Sequence, residues 1–390
     1  MSRWVGAAGV FVISLDSMVN IAFPAMAATF GVSAPAMRWV IVCYVLSYAF
    51  LSFAGGALGD RIGYRPVFVV GMAGSAVAYV VAAAAPTFGW LLAGRVMQGL
   101  AGGLVYGTAP AIVTAGADRT GRTRALGFLN GALGLAFAIG PIVAGLLIAT
   151  VGWRAVFSAR APLALIALVA ALRGLRRDGP GALRGPVRVR DVLRRPVLHL
   201  GALPFLAFGG NFAIWLLAPF YIVERRGLGP MVGGLMFTLT PLGMALGAPL
   251  AARLAERLGT RLTVVAGLLV EALGLAALGT AGATTPFTAV AAELFAAGLG
   301  LGVFVVPNMA ALMEEFKPHQ QGAAGGFAFL ARTLGIVAGV LTWAQIFELA
   351  RGALGFDVAF ERALLTAGAT VLVAAVLATL RQGMTPPRRD

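Results

Sequence analysis

The sequence predicts an all-α polytopic membrane protein with twelve transmembrane helices in two pseudo-symmetric six-helix bundles. Three observations predict this class: an apolar composition, apolar runs long enough to cross a bilayer, and an internal repeat. Of the 390 residues, 59% are hydrophobic and 12% are charged, whereas about 25% are charged in ordinary soluble domains. A soluble globule is therefore excluded. The alternating pattern of an outer-membrane barrel is also missing, because runs such as 76–85 and 364–380 are apolar on all sides.

A helix needs roughly 20 apolar residues to cross the hydrocarbon layer. The apolar segments predict spans one to six at 5–28, 37–58, 67–86, 88–112, 125–149 and 154–172, and spans seven to twelve at 198–222, 230–254, 262–281, 286–311, 322–347 and 359–380. The predicted domains are an N-terminal bundle at 1–172, a cytoplasmic linker at 173–196 and a C-terminal bundle at 197–390. The first segment is slightly similar to a signal peptide, but Asp16 interrupts it and it is long enough to span, so we expect a retained helix.

The net charge of +15 is explained by the membrane topology of the chain. If both termini are cytoplasmic, most of the 30 Lys and Arg residues fall in loops on the cytoplasmic side. The charge then indicates membrane lipid as a partner and excludes nucleic acid. Lys317 is the only lysine beside many arginines, which suggests a bacterial source and hence a bacterial inner membrane. Cys43 is the only cysteine and lies inside a span, which excludes an intramolecular disulfide and a cysteine-based zinc site. We expect no cofactor and no metal.

An internal repeat relates the two halves. The segment 59–65 (GDRIGYR) recurs as 255–261 (AERLGTR), and Gly71 recurs as Gly267. At nearly the same offset, Asp16 in span one corresponds to Asn211 in span seven. Two similar halves of equal orientation are related by an axis along the membrane normal, and we expect a cavity between them.

Six charged side chains fall inside predicted spans well away from their ends, three acidic and three basic: Asp16, Glu271 and Glu293, and Arg95, Arg160 and Arg332. An unpaired charge at the bilayer centre costs at least about 2.5–3.5 kcal/mol, so each should face a cavity or a partner. Structural pairing and a transport role both remain open for each residue. No H-E-x-x-H, Walker or G-x-S-x-G motif is present, which argues against an enzyme.

Several motifs resemble those of the major facilitator superfamily, and within it the drug:proton antiporters. The segment 56–65 (GALGDRIGYR) is similar to the superfamily's signature loop, 15–24 (LDSMVNIAFP) to the exporters' first-helix motif, and 94–99 (GRVMQG) to their fourth-helix motif. Span five carries residues similar to the antiporter motif, namely Gly127, Gly140, Pro141 and Gly145. The motifs are most like those of fourteen-helix exporters, yet this chain has room for twelve helices.

The resemblance implies secondary active transport, with proton-coupled efflux of a small amphipathic drug or secondary metabolite by alternating access in a monomer. Asp16 with Arg95 is the expected coupling pair, because related proteins bring these two motifs together. Other candidates for proton or substrate contact are Glu293, Glu271, Arg160, Arg332, Asn20 and Asn211. A cytoplasmic gate is expected at Gly56, Asp60, Arg61, Gly63 and Arg65 and at the repeated Glu256 and Arg257. Gly127, Gly140, Pro141 and Gly145 should pack closely against a helix of the other half.

Three departures from the family pattern bear on function. Ala136 and Ala144 replace usual glycines of the antiporter motif, Pro66 shortens the basic end of the signature loop, and Arg160 stands where related exporters carry an asparagine. The first change is mild, because both residues remain small. The third adds a cation, which favours an alternative: a proton-coupled or uniport carrier of an anionic metabolite. A non-transporting membrane sensor or scaffold is the other alternative.

Overall fold

The computed structural model of the chain describes residues 2–114, 119–175, 193–316 and 321–380. These residues are almost entirely helical and include no β-strand. They form two compact units. The first unit contains the described residues up to 175 together with Leu228–Thr238, and the second contains 193–227 and 239–380.

Spans one to six are helical over most of their length. Span one consists of the helices Ser2–Ser14, Met18–Ile21 and Phe23–Phe30, with the 3₁₀ turn Leu15–Ser17 between the first two. Span two is Arg38–Ile62 and is preceded by the 3₁₀ turn Ala34–Met37. Spans three to six are Tyr64–Ala83, Phe88–Thr114, Arg119–Thr150, and Ala155–Ser158 with Arg160–Gly174. Span one is broken at the turn that carries Asp16. Span two continues to Ile62, so the predicted signature loop is mainly the last turns of a helix.

Spans seven to twelve follow the same plan. Span seven is Arg195–Pro219 continued by the π-helix Phe220–Arg225; span eight is Pro230–Phe237 with Leu239–Leu258; span nine is Thr260–Gly279; span ten is Phe287–Glu314; and spans eleven and twelve lie within Gln321–Thr379. Within the last helix, Gly355 has φ 82° and ψ 178°, which breaks it into two lengths. Eleven helices in the described ranges are long and apolar enough to cross a membrane. Because Gly355 divides the longest of them, the fold has the predicted twelve spans.

The sequence repeat has a structural counterpart at two glycines. Gly63 joins span two to span three with φ 92° and ψ 150°, and Gly259 joins span eight to span nine with φ 82° and ψ 158°. This conformation is open to glycine and strained for residues that carry a Cβ. Each half therefore uses a single glycine to reverse the chain direction between its second and third spans.

Glycine also lets the spans of each unit approach closely. A Cβ on Gly71 would lie 2.9 Å from the carbonyl oxygen of Ala101 in span four, and one on Gly267 would lie 2.8 Å from that of Gly300 in span ten. Helices in lipid gain little from hydrophobic burial against each other, so small residues and close backbone packing supply much of their association. Span three thus packs on span four as span nine packs on span ten.

Candidate functional site

The break in span one places a carboxylate inside the first unit. Leu15–Ser17 forms a single 3₁₀ turn between two α-helical pieces, and Asp16 is its central residue. The side chain of Asp16 is 15% exposed, and the arginines around it are nearly fully buried. A charged group in this setting requires partners, because an unpaired charge inside a membrane protein is costly.

Arg95 of span four is the main partner of Asp16. Its Nη1 donates to Oδ1 of Asp16 at 2.6 Å and its Nη2 donates to Oδ2 at 2.8 Å. The arginine is held in turn by two acceptors, Oε1 of Gln98 at 2.8 Å from Nη1 and the carbonyl oxygen of Val40 at 2.9 Å from Nε. The ring of Tyr44 lies 4.4 Å from the guanidinium carbon. This forked pair with its buried support is the strong form of a carboxylate–arginine contact.

Arg160 of span six is a second cation on the same carboxylate. Its Nη1 donates to Oδ1 of Asp16 at 3.0 Å, and its Nη2 donates to the Tyr79 hydroxyl at 3.0 Å and to the carbonyl oxygen of Ile13 at 3.1 Å. The Tyr79 hydroxyl donates onward to the carbonyl oxygen of Val12 at 3.4 Å. Residues 12 and 13 lie just before the break in span one, so Arg160 and Tyr79 bind the helix end as well as the carboxylate.

The cluster contains two guanidinium groups and one carboxylate. Oδ1 of Asp16 accepts from Arg95, Arg160 and from Nε2 of Gln98 at 2.6 Å, and Oδ2 accepts from Arg95. All the contacts to the carboxylate come from donors, which fits its ionised form. The three charged side chains then sum to one uncompensated positive charge within the membrane-spanning part of the first unit. We call Asp16, Arg95, Gln98, Arg160 and Tyr79 the Asp16 cluster.

Aromatic residues cover the neighbouring part of the same unit. The rings of Tyr44 and Tyr48 lie 5.1 Å apart, and those of Tyr48 and Tyr106 lie 5.7 Å apart. The hydroxyl groups of Tyr106 and Ser14 are 2.9 Å apart. Asn20, four residues after Asp16, is half-buried. This face combines aromatic surface with hydroxyl groups, a composition that suits an amphipathic compound.

Span five supports the break in span one. Gly140 lies directly against the side chain of Ser17, the residue after Asp16. Farther along, Gly145 lies against the carbonyl oxygen of Pro230, and Gly234 lies against that of Pro141. The first turns of span eight, which belong to the C-terminal half of the sequence, therefore pack in the first unit. Gly127 lies on the same helix, but the surroundings of its side-chain position are outside the described residues.

This packing predicts the effect of adding one methyl group. Gly145→Ala places a Cβ 2.6 Å from the carbonyl oxygen of Pro230, so backbone has to shift, at a cost of about 1–3 kcal/mol. We expect a lower melting temperature in detergent and reduced transport. Gly134→Ala is the matched control, because a Cβ there meets nothing within 4 Å. Equal stability of the two variants would contradict close packing at Gly145.

The second unit holds a different set of polar residues. Glu271 of span nine is fully buried, and neither carboxyl oxygen has a hydrogen-bond partner among the described residues. The amide of Asn211 lies beside this carboxyl group. Glu293 of span ten is half-buried, with Oε2 unbonded within the described ranges. The Arg332 guanidinium lies 5.1 Å from the ring of Phe208 and 4.8 Å from that of Phe329.

The residues predicted to form the cytoplasmic gate lie around the turn between spans two and three and at the end of span eight. A Cβ on Gly56 would lie 3.3 Å from the carbonyl oxygen of Gly107, and Arg65 donates to the carbonyl oxygen of Leu172 at 2.8 Å. Three other gate residues are exposed: Arg61, Glu256 and Arg257. Gly63 forms the turn described above. The side chain of Asp60 is outside the described residues.

The sequence analysis did not predict that Gln98 and Tyr79 bind the charged groups of the Asp16 cluster. Gln98 lies within the fourth-helix motif, and its three-residue spacing from Arg95 places both on one helix face. Tyr79 is a lone tyrosine in an otherwise small and apolar stretch of span three. A buried tyrosine needs a partner for its hydroxyl group, which is the signal that could have found it.

Comparisons with known proteins agree with this architecture. The family model described as "Major Facilitator Superfamily" matches residues 5–340. The chain is 29% identical to the puromycin resistance protein pur8 of Streptomyces alboniger, over 87% of this chain and 80% of that protein. It is 24% identical to the riboflavin transporter RibZ of Clostridioides difficile, over 87% of this chain and 86% of that protein.

Solved structures show the same fold at lower sequence identity. The structure of the nucleoside transporter NupG (D323A mutant) superimposes with a TM-score of 0.82 at 12% identity, covering 97% of this chain and 99% of that one. The structure of a bacterial homologue of the human lysosomal transporter Spinster gives a TM-score of 0.80 at 14% identity, covering 97% of this chain and 96% of that one. With its twelve spans, its repeated halves and a family match over most of its length, the chain belongs to the major facilitator superfamily.

Proposed function

We propose that this protein is a proton-driven exporter of small amphipathic compounds, working by alternating access as a monomer in a bacterial inner membrane, with both termini cytoplasmic. The observation that carries the proposal is the Asp16 carboxylate, bound by Arg95 and Arg160 within the membrane-spanning region. A carboxylate whose arginine partners come and go can take up and release a proton.

The contacts of Asp16 suggest how protonation is linked to movement. Both oxygens are occupied by donors from spans four and six. Protonation of Asp16 therefore competes with two guanidinium groups and is favoured when at least one of them moves away, and the bound proton weakens the attraction that held the arginines. Proton uptake would then accompany a rearrangement of spans one, four and six. Gly140, packed on Ser17, would transmit that rearrangement to span five.

The relatives support export of antibiotics. Besides the puromycin resistance protein, the chain is 32% identical to the tetracenomycin C resistance and export protein of Streptomyces glaucescens, over 60% of this chain and 46% of that protein. It is 31% identical to the methylenomycin A resistance protein of Bacillus subtilis, over 54% of this chain and 45% of that protein. The aromatic and hydroxyl-bearing face formed by Tyr44, Tyr48 and Tyr106 would receive the apolar part of such a compound.

A growth-inhibition panel tests the proposed function. Sensitive cells with and without expression of the protein are exposed to a set of drugs that includes puromycin, tetracenomycin C and methylenomycin A. We expect expression to raise the inhibitory concentration of at least one compound, and everted vesicles to accumulate that compound when a pH gradient is imposed. Resistance without any response to the gradient would contradict proton coupling. No resistance and no flux would favour the sensor or scaffold alternative.

One observation favours a second candidate function. Two guanidinium groups face one carboxylate in the Asp16 cluster, and the excess positive charge would attract a carboxylate or other anion. A carrier of an anionic metabolite is therefore the alternative. Because one relative is a riboflavin transporter, riboflavin uptake by expressing cells is measured beside the drug panel to test for import, and acidic compounds are used to test the preference for anions.

The cytoplasmic gate gives a further prediction. Asp60 precedes Arg61 in the Asp-Arg-x-Gly segment that the second half repeats as Glu256-Arg257-Leu258-Gly259. We propose that its carboxylate stabilises one state of the gate through charge-assisted contacts. Asp60→Asn should then reduce transport at least tenfold with normal membrane insertion, since the end of a span is affected rather than its core. Flux is measured per inserted molecule, and a wild-type rate would remove the gate hypothesis.

A further inference from the structure

The second unit contains an acidic group that the Asp16 cluster does not explain. Glu271 lies in the middle of span nine, is 0% exposed, and has both carboxyl oxygens without a hydrogen bond among the described residues. By contrast, the carboxylate of Asp16 accepts from three side chains. An intramembrane carboxyl group without a cation is expensive when ionised. The two units thus hold their acids in opposite surroundings.

Within the part of the chain that the structure describes, the groups that face Glu271 include no cation. Span seven contributes the amide of Asn211; span ten contributes Gly300, which lies against the Glu271 backbone; and span twelve contributes Gly368, which packs on the neighbouring Ala272. The nearest acid on span ten is Glu293, seven positions before Gly300 and therefore about 10 Å away along the helix. Arg332 lies against Phe208 and Phe329 instead.

The partner that does face Glu271 suits both states of a carboxyl group. The indole Nε1 of Trp215 donates to Oδ1 of Asn211 at 3.2 Å, which holds the amide, while Nδ2 makes no hydrogen bond to the described residues. Nδ2 can donate to an ionised carboxylate, and an amide oxygen can accept from a protonated one. Asparagine can therefore stay beside the group while a proton is gained and lost.

The repeat shows that the fold itself does not require an acid here. The position in span three that corresponds to Glu271 is Ser75, as Gly71 corresponds to Gly267. The Ser75 hydroxyl donates to the carbonyl oxygen of Gly71 at 2.8 Å, within its own helix. A small satisfied side chain thus fills the equivalent place in the first unit, and the acid in the second unit is an addition.

We infer that Glu271 is a second proton-binding site of this transporter, separate from the Asp16 cluster, with Asn211 as its positioning residue. The inference rests on the proposed proton coupling, since it assigns one of the exchanged protons. Glu271 binds and releases a proton without breaking an ion pair, whereas protonation of Asp16 competes with two arginines. Transport with two such sites can move more than one proton for each cycle.

Infrared difference spectroscopy tests this site without a transported compound. The purified protein in lipid vesicles is titrated between acidic and alkaline pH, and the stretching band of protonated carboxyl groups is followed. We expect a titrating band in the native protein that is lost in Glu271→Gln. It should be retained in Glu361→Gln, a control on span twelve. Asn211→Leu should shift the midpoint by roughly one pH unit or more, because it removes the amide that can donate to the ionised carboxylate.

Two results would overturn the inference: a Glu271→Gln spectrum equal to the native one, or a band assigned to Glu271 that does not change with pH. If Glu271→Gln is obtained in low yield, Glu271→Ser, which introduces the residue of the first unit, provides the same comparison. Failure of the proposed function gives a different pattern. The native protein would then show no flux in response to a pH gradient, while the infrared band of Glu271 would still change with pH.

Discussion

Asp16→Asn is expected to abolish uphill efflux driven by a pH gradient while leaving substrate binding or downhill exchange partly intact. The amide cannot cycle between a charged and a neutral form, and it offers one acceptor oxygen where the carboxylate offers two to Arg95. The measurement is accumulation in everted vesicles with and without an imposed gradient, corrected for the amount of inserted protein. Asp357→Asn, which changes an exposed carboxylate paired with Arg225, is the control.

A second variant separates coupling from structural pairing. Asp16→Asn leaves Arg95 and Arg160 without a carboxylate, and stranding buried charge in this way costs about 3–5 kcal/mol. The double variant Asp16→Asn, Arg95→Gln restores the net charge of the native cluster, with one cation in place of two cations and one anion. We expect it to recover the yield of folded protein and to remain uncoupled. Recovery of gradient-driven flux would instead show that Asp16 only pairs with the arginines.

Much of the fold could be predicted because its signals are local and repeated. Each span is an apolar segment whose length alone identifies it, and the agreement of segments 59–65 and 255–261 indicates two equivalent halves. Gly63 and Gly259 then adopt the same conformation at the same turn. The breaks were not predicted. Arg160 and Tyr79 bind the carbonyl groups just before the 3₁₀ turn at Leu15–Ser17, and these contacts are distant in sequence.

The site was predictable where a motif fixed the partners. The resemblance predicts that Asp16 and Arg95 lie together, and the structure places them within 2.6 Å. The contact of Arg160 with Asp16 joins residues 144 positions apart, and no periodicity indicates which of six intramembrane charges will meet. Similarly, the sequence relates Asn211 to Asp16 but does not show that Asn211 lies beside Glu271. Such groupings depend on which faces of several helices converge.

Arg160 gives the test that separates the two candidate functions. Arg160→Gln leaves the forked pair of Asp16 and Arg95 in place and removes the excess positive charge. Glutamine retains a donor for the Tyr79 hydroxyl or the carbonyl oxygen of Ile13, so we expect the protein to insert normally. Because Arg160 is fully buried, it would act on a substrate through its charge, which is weakly screened in a membrane interior, rather than by contact.

If the excess charge selects anions, Arg160→Gln should lower transport of acidic compounds roughly tenfold relative to neutral or basic ones, the equivalent of about 1.4 kcal/mol. The measurement is the ratio of inhibitory concentrations, or of vesicle uptake, for acidic and basic compounds of similar size. Arg160→Lys keeps the charge and should keep the native ratio, as should Arg154→Gln, whose arginine binds the carbonyl oxygen of Ala85 outside the cluster. An unchanged ratio in Arg160→Gln would remove the anion carrier and leave Arg160 as a support for the break in span one.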